Sequence, residues 1–370
     1  MRITEVEIHE FAYEIPDVGT IGGNWVYEPG HVLEPPGFVL TLRTADGTEG
    51  THRGFIFTPP MVQQIQMVAE DHLLGRDPLE REGIWQTLWR ALRHTDRIGI
   101  GAIDIALWDL AGSHYGASVS ELLGGYRESL PTYASAMFVG GAGGLDTPEA
   151  VADYAEQCLE RGYEGFKFHG HAEAKPEFDI AVAEALAERV GDEMALMLDS
   201  SSLYETYSDA LEVGRALDHL GFYCYEDPLC DGGGSSQMVR KLVHELETPM
   251  LGMEHVRTGP HGVVSHLSQE ATDLVRGSAH LDGGITGLMK TAHVVEGWGL
   301  DIELLLGGPA HMHAMSAIRN TNYFEHGLLH PESTWLLNQG FEGTPESVND
   351  EGRPVATAMP SAGSRRRGCR

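Results

Sequence analysis

From about residue 131 onward, short apolar runs alternate with amphipathic helical stretches, and this alternation constrains the fold more than any other feature of the 370-residue chain. The runs are Gly165–Phe168, Ala195–Asp199, Phe222–Glu226, Met250–Glu254, Leu274–Leu281, Asp301–Leu306 and Tyr323–Glu325. The helical stretches between them include Pro148–Arg161, Ile180–Val190 and Ala210–Leu220. A strand that feeds a helix before the next strand returns parallel to it, so the pattern predicts βαβ units. So many units in about 200 residues suit a closed barrel better than an open sheet. A doubly wound sheet would more readily carry a Gly-rich phosphate turn after its first strand, and none is convincing here.

The first part of the chain reads differently. Residues 2–13 and 37–44 alternate apolar and polar side chains, as strands of an antiparallel sheet do. Between them, Ile15 to Gly37 is rich in Gly and Pro and holds Trp25 and Tyr27, which reads as a long loop, a lid or disorder. Gly22-Gly23 is a candidate hinge within it. Residues 60 to about 124 read as helical and end at Gly124-Gly125. The expected organisation is an α+β capping domain over 1–125, a barrel over 126–340, and a C-terminal segment, 341–370, that packs back on the capping domain. The basic end Ser364–Arg370 reads as a disordered tail.

Charge narrows the partners. The formal net charge is -30, a field that repels nucleic acid and anionic membrane alike. Apolar runs such as Ile302–Leu306 are far too short to span a bilayer, and the N-terminus Met1-Arg-Ile-Thr-Glu lacks a signal-like apolar region. The expectation is a cytoplasmic protein whose partner is a small-molecule carboxylate. Cys158, Cys224, Cys230 and Cys369 are scattered without metal-ligand spacing and read as free thiols.

Residues at the C-terminal ends of barrel strands face a common mouth. Asp199, Glu226 and Glu254 hold such ends, separated by 226 − 199 = 27 and 254 − 226 = 28 residues, about one βα repeat each. Three converging carboxylates repel one another unless a divalent cation lies between them, and hard oxygen ligands favour Mg²⁺. Lys167 ends the preceding strand, Gly-Phe-Lys-Phe-His, and is one of only four lysines. Near a cation in a closed mouth its pKa is expected to fall, which makes it a workable base. His169 points the same way along that strand and reads as a second base, a substrate contact or a loop histidine.

These residues and several motifs together resemble the mandelate racemase branch of the enolase superfamily over nearly the whole chain. The motifs are Gly101-Ala-Ile-Asp-Ile-Ala-Leu-Trp-Asp-Leu-Ala-Gly112, Glu121-Leu-Leu-Gly-Gly125, Tyr225-Glu-Asp-Pro228 and Gly283-Gly-Ile-Thr-Gly287. The resemblance implies a (β/α)7β barrel under an N-terminal capping domain, with one Mg²⁺ per subunit held by Asp199, Glu226 and Glu254. It implies abstraction of a proton α to a carboxylate by Lys167, with Glu325 hydrogen-bonding the substrate carboxylate, for which Glu325 must be protonated. It also places specificity in the cap, at Trp25 and Tyr27 and at Gly50–Phe55, where Arg53 is a candidate partner for a second carboxylate and His52 for a hydroxyl. Relatives of this kind are commonly homo-oligomers.

Three departures from the family pattern matter. The second of two strand lysines is His169; the racemase-type His/Asp dyad falls on Leu305 and Ser278; and the usual Asp-x-Asn is Asp199-Ser-Ser. Inversion needs a proton donor on each face of the carbon, so loss of the dyad favours a one-base reaction. His255 and His280 are the candidate acids for a departing β-hydroxyl, and Glu303 and Arg276 are expected to pair one layer deeper. The Lys-x-His variant resembles members acting on sugar acids and their lactone or anhydro derivatives. The expected reaction is dehydration of a hexonate- or hexarate-like compound to a 2-keto-3-deoxy acid. Racemisation, epimerisation or cycloisomerisation on the same scaffold is the alternative, and a metal-binding homologue without catalysis the remote one.

Overall fold

A computed structural model describes residues 1–333 except Ile56 and Arg257, together with the backbone of 346–348 and 354–357. The chain opens with five strands: β1 (Ile3–Ala12), β2 (Ile15–Ile21), β3 (Asn24–Leu33), β4 (Pro36–Thr44) and β5 (Glu49–Gly54). β1, β4 and β5 form an antiparallel sheet in that order, while β2 and β3 form a separate hairpin. The expected loop over Ile15–Gly37 is therefore mostly strand. Its turn is two residues long, with Ile21 opposite Asn24, and both Gly22 and Gly23 have positive φ (59° and 92°). That backbone suits the twist of a tight hairpin and admits glycine without strain, so the pair is a turn and not a hinge.

Four helices follow: α1 (Thr58–Val68), α2 (Arg81–Ala91), α3 (Gly99–Tyr115) and α4 (Val119–Leu122), with a π-helical turn over Ala69–Leu73. The barrel then runs β6 (Ser129–Val139), α5 (Pro148–Glu160), β7 (Gly165–His171), α6 (Pro176–Val190), β8 (Ala195–Asp199), α7 (Tyr207–Leu220), β9 (Cys224–Glu226) and α8 (Ser236–Glu245). It continues through β10 (Met250–Gly252), α9 (Gly259–Ser268), β11 (Leu274–Gly277), α10 (Gly284–Gly297), β12 (Asp301–Leu304), α11 (Pro309–Met315) and β13 (Phe324–Leu329). Local chemistry sets several boundaries. α5 and α7 start on Thr147 and Thr206, whose side chains accept from Ala150 and Asp209 N–H, and α7 stops at left-handed Gly221.

Strands β6 to β12 pair in parallel with their sequence neighbours, and β13 pairs parallel with β6. No ladder joins β12 to β13 among the described residues. Two carboxylates cross that seam instead: Glu325 accepts from Leu306 N–H (2.5 Å) and Glu303 from Tyr323 N–H (3.3 Å). Of the C-terminal segment, β14 (Glu346–Val348) pairs with β15 (Pro354–Thr357), and β15 pairs antiparallel with Ser129–Pro131 at the start of β6. Cys369 and the tail lie outside the described residues.

Two of the sequence motifs turn out to grip each other. α3 is buried along most of its length, and its Asp104 accepts from Thr286 N–H (2.8 Å) at the start of α10. Trp85 and Trp108 donate to Gly283 O (2.8 Å) and Thr286 Oγ1 (2.9 Å) of the same turn. A Cβ on Gly284 would lie 2.2 Å from the Asp104 Cβ, so only glycine permits the approach. The cap is thus bolted to the barrel through Gly101–Gly112 and Gly283–Gly287.

Burial lifts the Asp104 carboxyl from 3.8 to about 7, against the Thr286 bonds and the charge of Arg81. Between about pH 4 and pH 7 the folded protein therefore keeps a proton that the unfolded chain has released, and stability falls as pH rises through that window. Asp104→Asn removes this dependence. In thermal melts its advantage over the wild type should widen from about pH 4 to about pH 7 and then hold constant, bounded by about 1.4 kcal/mol per pKa unit. A gap that stays flat would mean that Asp104 is ionised in the fold.

Candidate active site

The register of the barrel sets the site. Asp199 at the end of β8 lies level with His169 on β7 and Glu226 on β9, and Glu254 follows β10 two residues on. Carboxylate oxygens of Asp199, Glu226 and Glu254 all lie within 4.8 Å of one another. Burial raises the pKa of Glu226 and of Glu254, and for Glu254 the charges of Glu226 and Asp199 add to it. For Asp199 burial is outweighed by Lys167 and His169, which hold it well below the ordinary range. Buried, mutually repelling, all-oxygen donors are the set that a hard divalent cation relieves, so these residues fit Mg²⁺.

Backbone and side-chain contacts aim the ligands. Asp199 Oδ1 accepts from Ser201 N–H (2.7 Å) and Oγ–H (3.0 Å), so Ser201 orients the carboxylate from the place where the family pattern has Asn. Asp227 accepts from Met253 N–H (3.2 Å) and Glu254 N–H (3.1 Å), holding Met253 in a left-handed conformation (φ 85°). Asp227 belonged to a recognised motif, but its grip on Glu254 had no signal in the sequence.

Beneath the triad lies a closed ring of charges. Lys167 Nζ is 2.9 Å from Glu226 Oε2 and 2.9 Å from Glu325 Oε1. Arg276 completes the circuit, with Nε 2.8 Å from Glu226 Oε1 as an ion pair lacking hydrogen-bond alignment, and Nη2 2.5 Å from Glu325 Oε2 as a hydrogen bond. The four side chains, at most 1% exposed, come from β7, β9, β11 and β13. They form one barrel layer from alternate strands, built of charge where such layers are usually aliphatic. Tyr133 on β6 accepts from Arg276 (3.2 Å) and places its ring 5.6 Å from Lys167 Nζ.

Three expectations change here. Burial and Arg276 depress the Lys167 pKa, but Glu226 and Glu325 outweigh them and hold it well above the ordinary lysine value. Burial alone would protonate Glu325, yet Arg276 and Lys167 keep its pKa far below the carboxylate range. Glu325 is therefore an ionised acceptor and not a neutral donor. Arg276 pairs with Glu226 and Glu325, whereas Glu303 accepts from Tyr223 O–H (2.9 Å).

The histidines divide. His169 donates from Nδ1 to Ala136 O (2.6 Å), which turns Nε2 toward Asp199 Oδ2 (3.3 Å). His255 Nε2 is 3.9 Å from Glu254 Oε1, with its side chain 39% exposed. His280 is buried apart from them, its ring 5.4 Å from that of His52. The other cap candidates do not join Lys167 among the described residues. Tyr27 stacks on His330 (4.1 Å, 15°) and its carbonyl accepts from Ala142 N–H (3.0 Å), Trp25 packs with the barrel-side core, and Arg53 stands over the Phe11 ring (5.4 Å). Leu305 is buried in the cap core, and Ser278 Oγ accepts from His280 N–H (3.2 Å). Sequence reasoning missed His311 and His330, which lie outside any motif.

Comparison with known proteins agrees with this geometry. Residues 150–354 match the enolase C-terminal domain-like family, and residues 30–124 match the mandelate racemase / muconate lactonizing enzyme N-terminal domain. The chain is 30% identical over 303 residues to D-galactarolactone cycloisomerase of Agrobacterium fabrum, covering 79% of this chain and 75% of that one. It is 26% identical over 335 residues to arabinonate dehydratase of Saccharolobus solfataricus, covering 87% and 86%. The crystal structure of D-glucarate dehydratase from Agrobacterium tumefaciens complexed with magnesium superposes with a TM-score of 0.84 at 30% identity, covering 98% of this chain and 97% of that one. With both family domains matched in order over most of its length, the chain belongs to the mandelate racemase/muconate lactonizing enzyme branch of the enolase superfamily.

Proposed function

We propose that the protein removes the proton α to the carboxylate of an acid sugar, with Lys167 as base and Mg²⁺ as cofactor, and that loss of the β-oxygen then yields a 2-keto-3-deoxy acid. The observation that carries this reading is the contact of one buried amine, Lys167 Nζ, with both Glu226 and Asp199 (2.9 Å and 3.4 Å) of the carboxylate triad. A proton next to a carboxylate is weakly acidic, so its removal requires positive charge where the enediolate forms. Asp199, Glu226 and Glu254 would hold a Mg²⁺ that would supply that charge, and two of these carboxylates, Asp199 and Glu226, now hold the proton on Lys167.

The residues of the chain do the rest. Lys167 takes the proton at Nζ, kept in place by Glu325 and shielded from water at 1% exposure. The C–H electron pair enters the enediolate and returns to form the Cα=Cβ bond as the Cβ–O bond breaks. The enol so formed gains a proton at Cβ and loses one from its Cα hydroxyl to become the 2-keto acid. The departing oxygen needs a proton, which His255 supplies: it stands beside Glu254 and keeps the contact with solvent that reprotonation requires. Leu305 and Ser278 offer no second base, which disfavours racemisation. Cycloisomerisation of a lactone or anhydro acid is the second reading, favoured by the 30% identity to a galactarolactone cycloisomerase. It shares the first step, and the β-oxygen that leaves belongs to the substrate's own ring.

Incubation with aldonates, aldarates and their lactones in D₂O with Mg²⁺ should give chelator-sensitive 2-keto acid and its deuteration at the former β-carbon, read by a keto-acid assay and proton NMR. Lys167→Met should lose both by at least about 10³-fold while calorimetry shows Mg²⁺ binding retained or tightened. An active Lys167→Met enzyme would mean that another group is the base. Asp227→Asn, which weakens the support of Glu254, should cost about 10–100-fold in Mg²⁺ affinity, and unchanged affinity would remove Asp227 from the metal centre.

A further inference from the structure

The end of β7, just past Lys167 and His169, outruns its ladder with β8. Toward β6 the pairing runs on to His171, opposite Val139, but toward β8 the last rung is His169 opposite Asp199. The chain after β8 is instead laced to the chain after β9 by backbone bonds. Ser200 N–H donates to Glu226 O (3.1 Å), Ser202 N–H to Asp227 O (2.7 Å) and Tyr204 N–H to Pro228 O (3.0 Å). Tyr204 O accepts in return from Cys230 N–H (3.0 Å). Asp199 and Glu226 thus share one braced platform, and beyond the last rung the β7 end needs its own tie to it.

Asp179, in the first turn of α6, is that tie. Its Oδ1 accepts from His171 N–H (2.7 Å) and its Oδ2 from Tyr204 O–H (2.6 Å). The carboxylate also lies against the backbone of Gly170, where a Cβ would stand 3.1 Å from Oδ2. Asp179 and Tyr204 are each 1% exposed. Among the described residues Asp179 makes no hydrogen bond or ion pair to Lys167 or to the triad, so whatever it does there it does through the three strand ends.

The titratable groups around Asp179 are Glu177 on its own helix, His171 on β7, Tyr204 after β8 and Tyr225 on β9. The His171 ring is in turn bonded to Glu173 N–H (3.1 Å) and to Lys175 Nζ (3.3 Å), and Lys175 Nζ also pairs with the Glu173 carboxylate (2.7 Å). No cation comes within ion-pair reach of Asp179 among the described residues. Burial raises its carboxyl to about 6, with Glu177 adding to the rise and the bonds from Tyr204 and His171 opposing it. Both donors favour the ionised form. A proton on Oδ2 would turn that oxygen from an acceptor into a donor that faces the donor of Tyr204.

We propose that Asp179 is a positioning residue for the proton abstraction: ionised, it locks the β7 end to the braced ends of β8 and β9, and protonated, it lets go, so that turnover falls on the acid side while metal binding persists. The proposal rests on the reading that Lys167 is the base. The charge ring holds the Lys167 amine from below, and Asp179 fixes the strand end above it. Asp199 and Glu226 keep their mutual placement without Asp179, because the bonds between the chains after β8 and β9 are backbone bonds that no proton alters. What the lock sets is the height of β7 against them, and a misplacement of about 1 Å can cost a reaction about 10²-fold. The lock works against global stability. Between about pH 4 and pH 6 the folded protein keeps a proton that the unfolded chain has released, so stability falls with rising pH where turnover grows.

The test uses the full-length protein with Mg²⁺, labelled with ¹³C-aspartate and with ¹⁵N. The Asp179 carboxyl carbon, assigned by its loss in Asp179→Asn, should titrate at about pH 6. The His169 and Gly170 amides should shift with the same midpoint in the wild type and stay still in that variant. Tyr204→Phe removes one bond that favours the charge and keeps the other, so it should move both midpoints upward. With galactarolactone, arabinonate and glucarate as probes, kcat for any that turn over should show the same acid limb. Asp179→Asn should abolish the limb and lower kcat about 10–100-fold at about pH 7, with a smaller change in KM and with Mg²⁺ affinity within about threefold by calorimetry. A carboxyl that does not titrate between about pH 4 and pH 8, amides that ignore it, an acid limb that survives the substitution, or Mg²⁺ affinity lost in step with kcat overturns the lock. If Asp179→Asn does not fold, Tyr204→Phe decides, and unmoved midpoints overturn the lock. Failure of every acid to give 2-keto acid would instead sink the proposed reaction, and the carbon and amide shifts would still decide the lock.

Discussion

The ring of Lys167, Glu226, Arg276 and Glu325 is the constraint on which the rest of the structure depends. Four buried charges alternate in sign, each touching two of the opposite kind. Any one of them alone in the barrel core would cost several kcal/mol in desolvation. In a closed circuit each charge is satisfied from both sides, and removing one member strands two partners. Because the members come from β7, β9, β11 and β13, the ring also fixes the relative heights of four strands. Lys167, Glu226 and Glu325 are therefore not independent residues set into a scaffold. They are one layer of the scaffold.

The same layer closes the barrel. β12 and β13 share no ladder among the described residues, and carboxylates do the work of backbone pairing at that seam. Glu325 accepts from Leu306 N–H above, and Glu303 accepts from Tyr323 N–H below. Glu325 can do this only as an ionised acceptor, which Arg276 and Lys167 ensure. The seam is also where the family dyad would sit. Leu305 is turned over to the cap core there, and His311 ties the chain just beyond it to the β11 turn.

How much of this was legible in the sequence follows from how each feature is encoded. The parallel barrel was readable because each unit repeats a local period, and Ala195–Asp199 falls on the strand the pattern gives. The triad was readable because its spacing equals that repeat. The hairpin of β2 and β3 reads as a loop because it is rich in Gly and Pro, although the two-residue Gly22-Gly23 turn is a hairpin signal. The pairing of Glu325 with Arg276, 49 positions away, is not legible because no local pattern records which buried cation meets which carboxylate. Asp104 illustrates the opposite case: its motif was legible as a motif, but its purpose, to meet the Gly283–Gly287 turn, appears only when the two motifs are placed together.

The charge of the ring bears on substrate binding in a chain of net charge -30. Both cations of the layer are already shared between two carboxylates each, so neither is free to meet a substrate anion. On the proposed reading, the substrate carboxylate must then draw its attraction from the divalent cation held by Asp199, Glu226 and Glu254. Substrate and metal affinity are consequently linked, each strengthening the other by the same factor. Past the carboxylate end the field of so acidic a chain is unfavourable to any further negative charge. An acidic protein can thus accept an acidic substrate by confining positive charge to the one point where the reaction needs it.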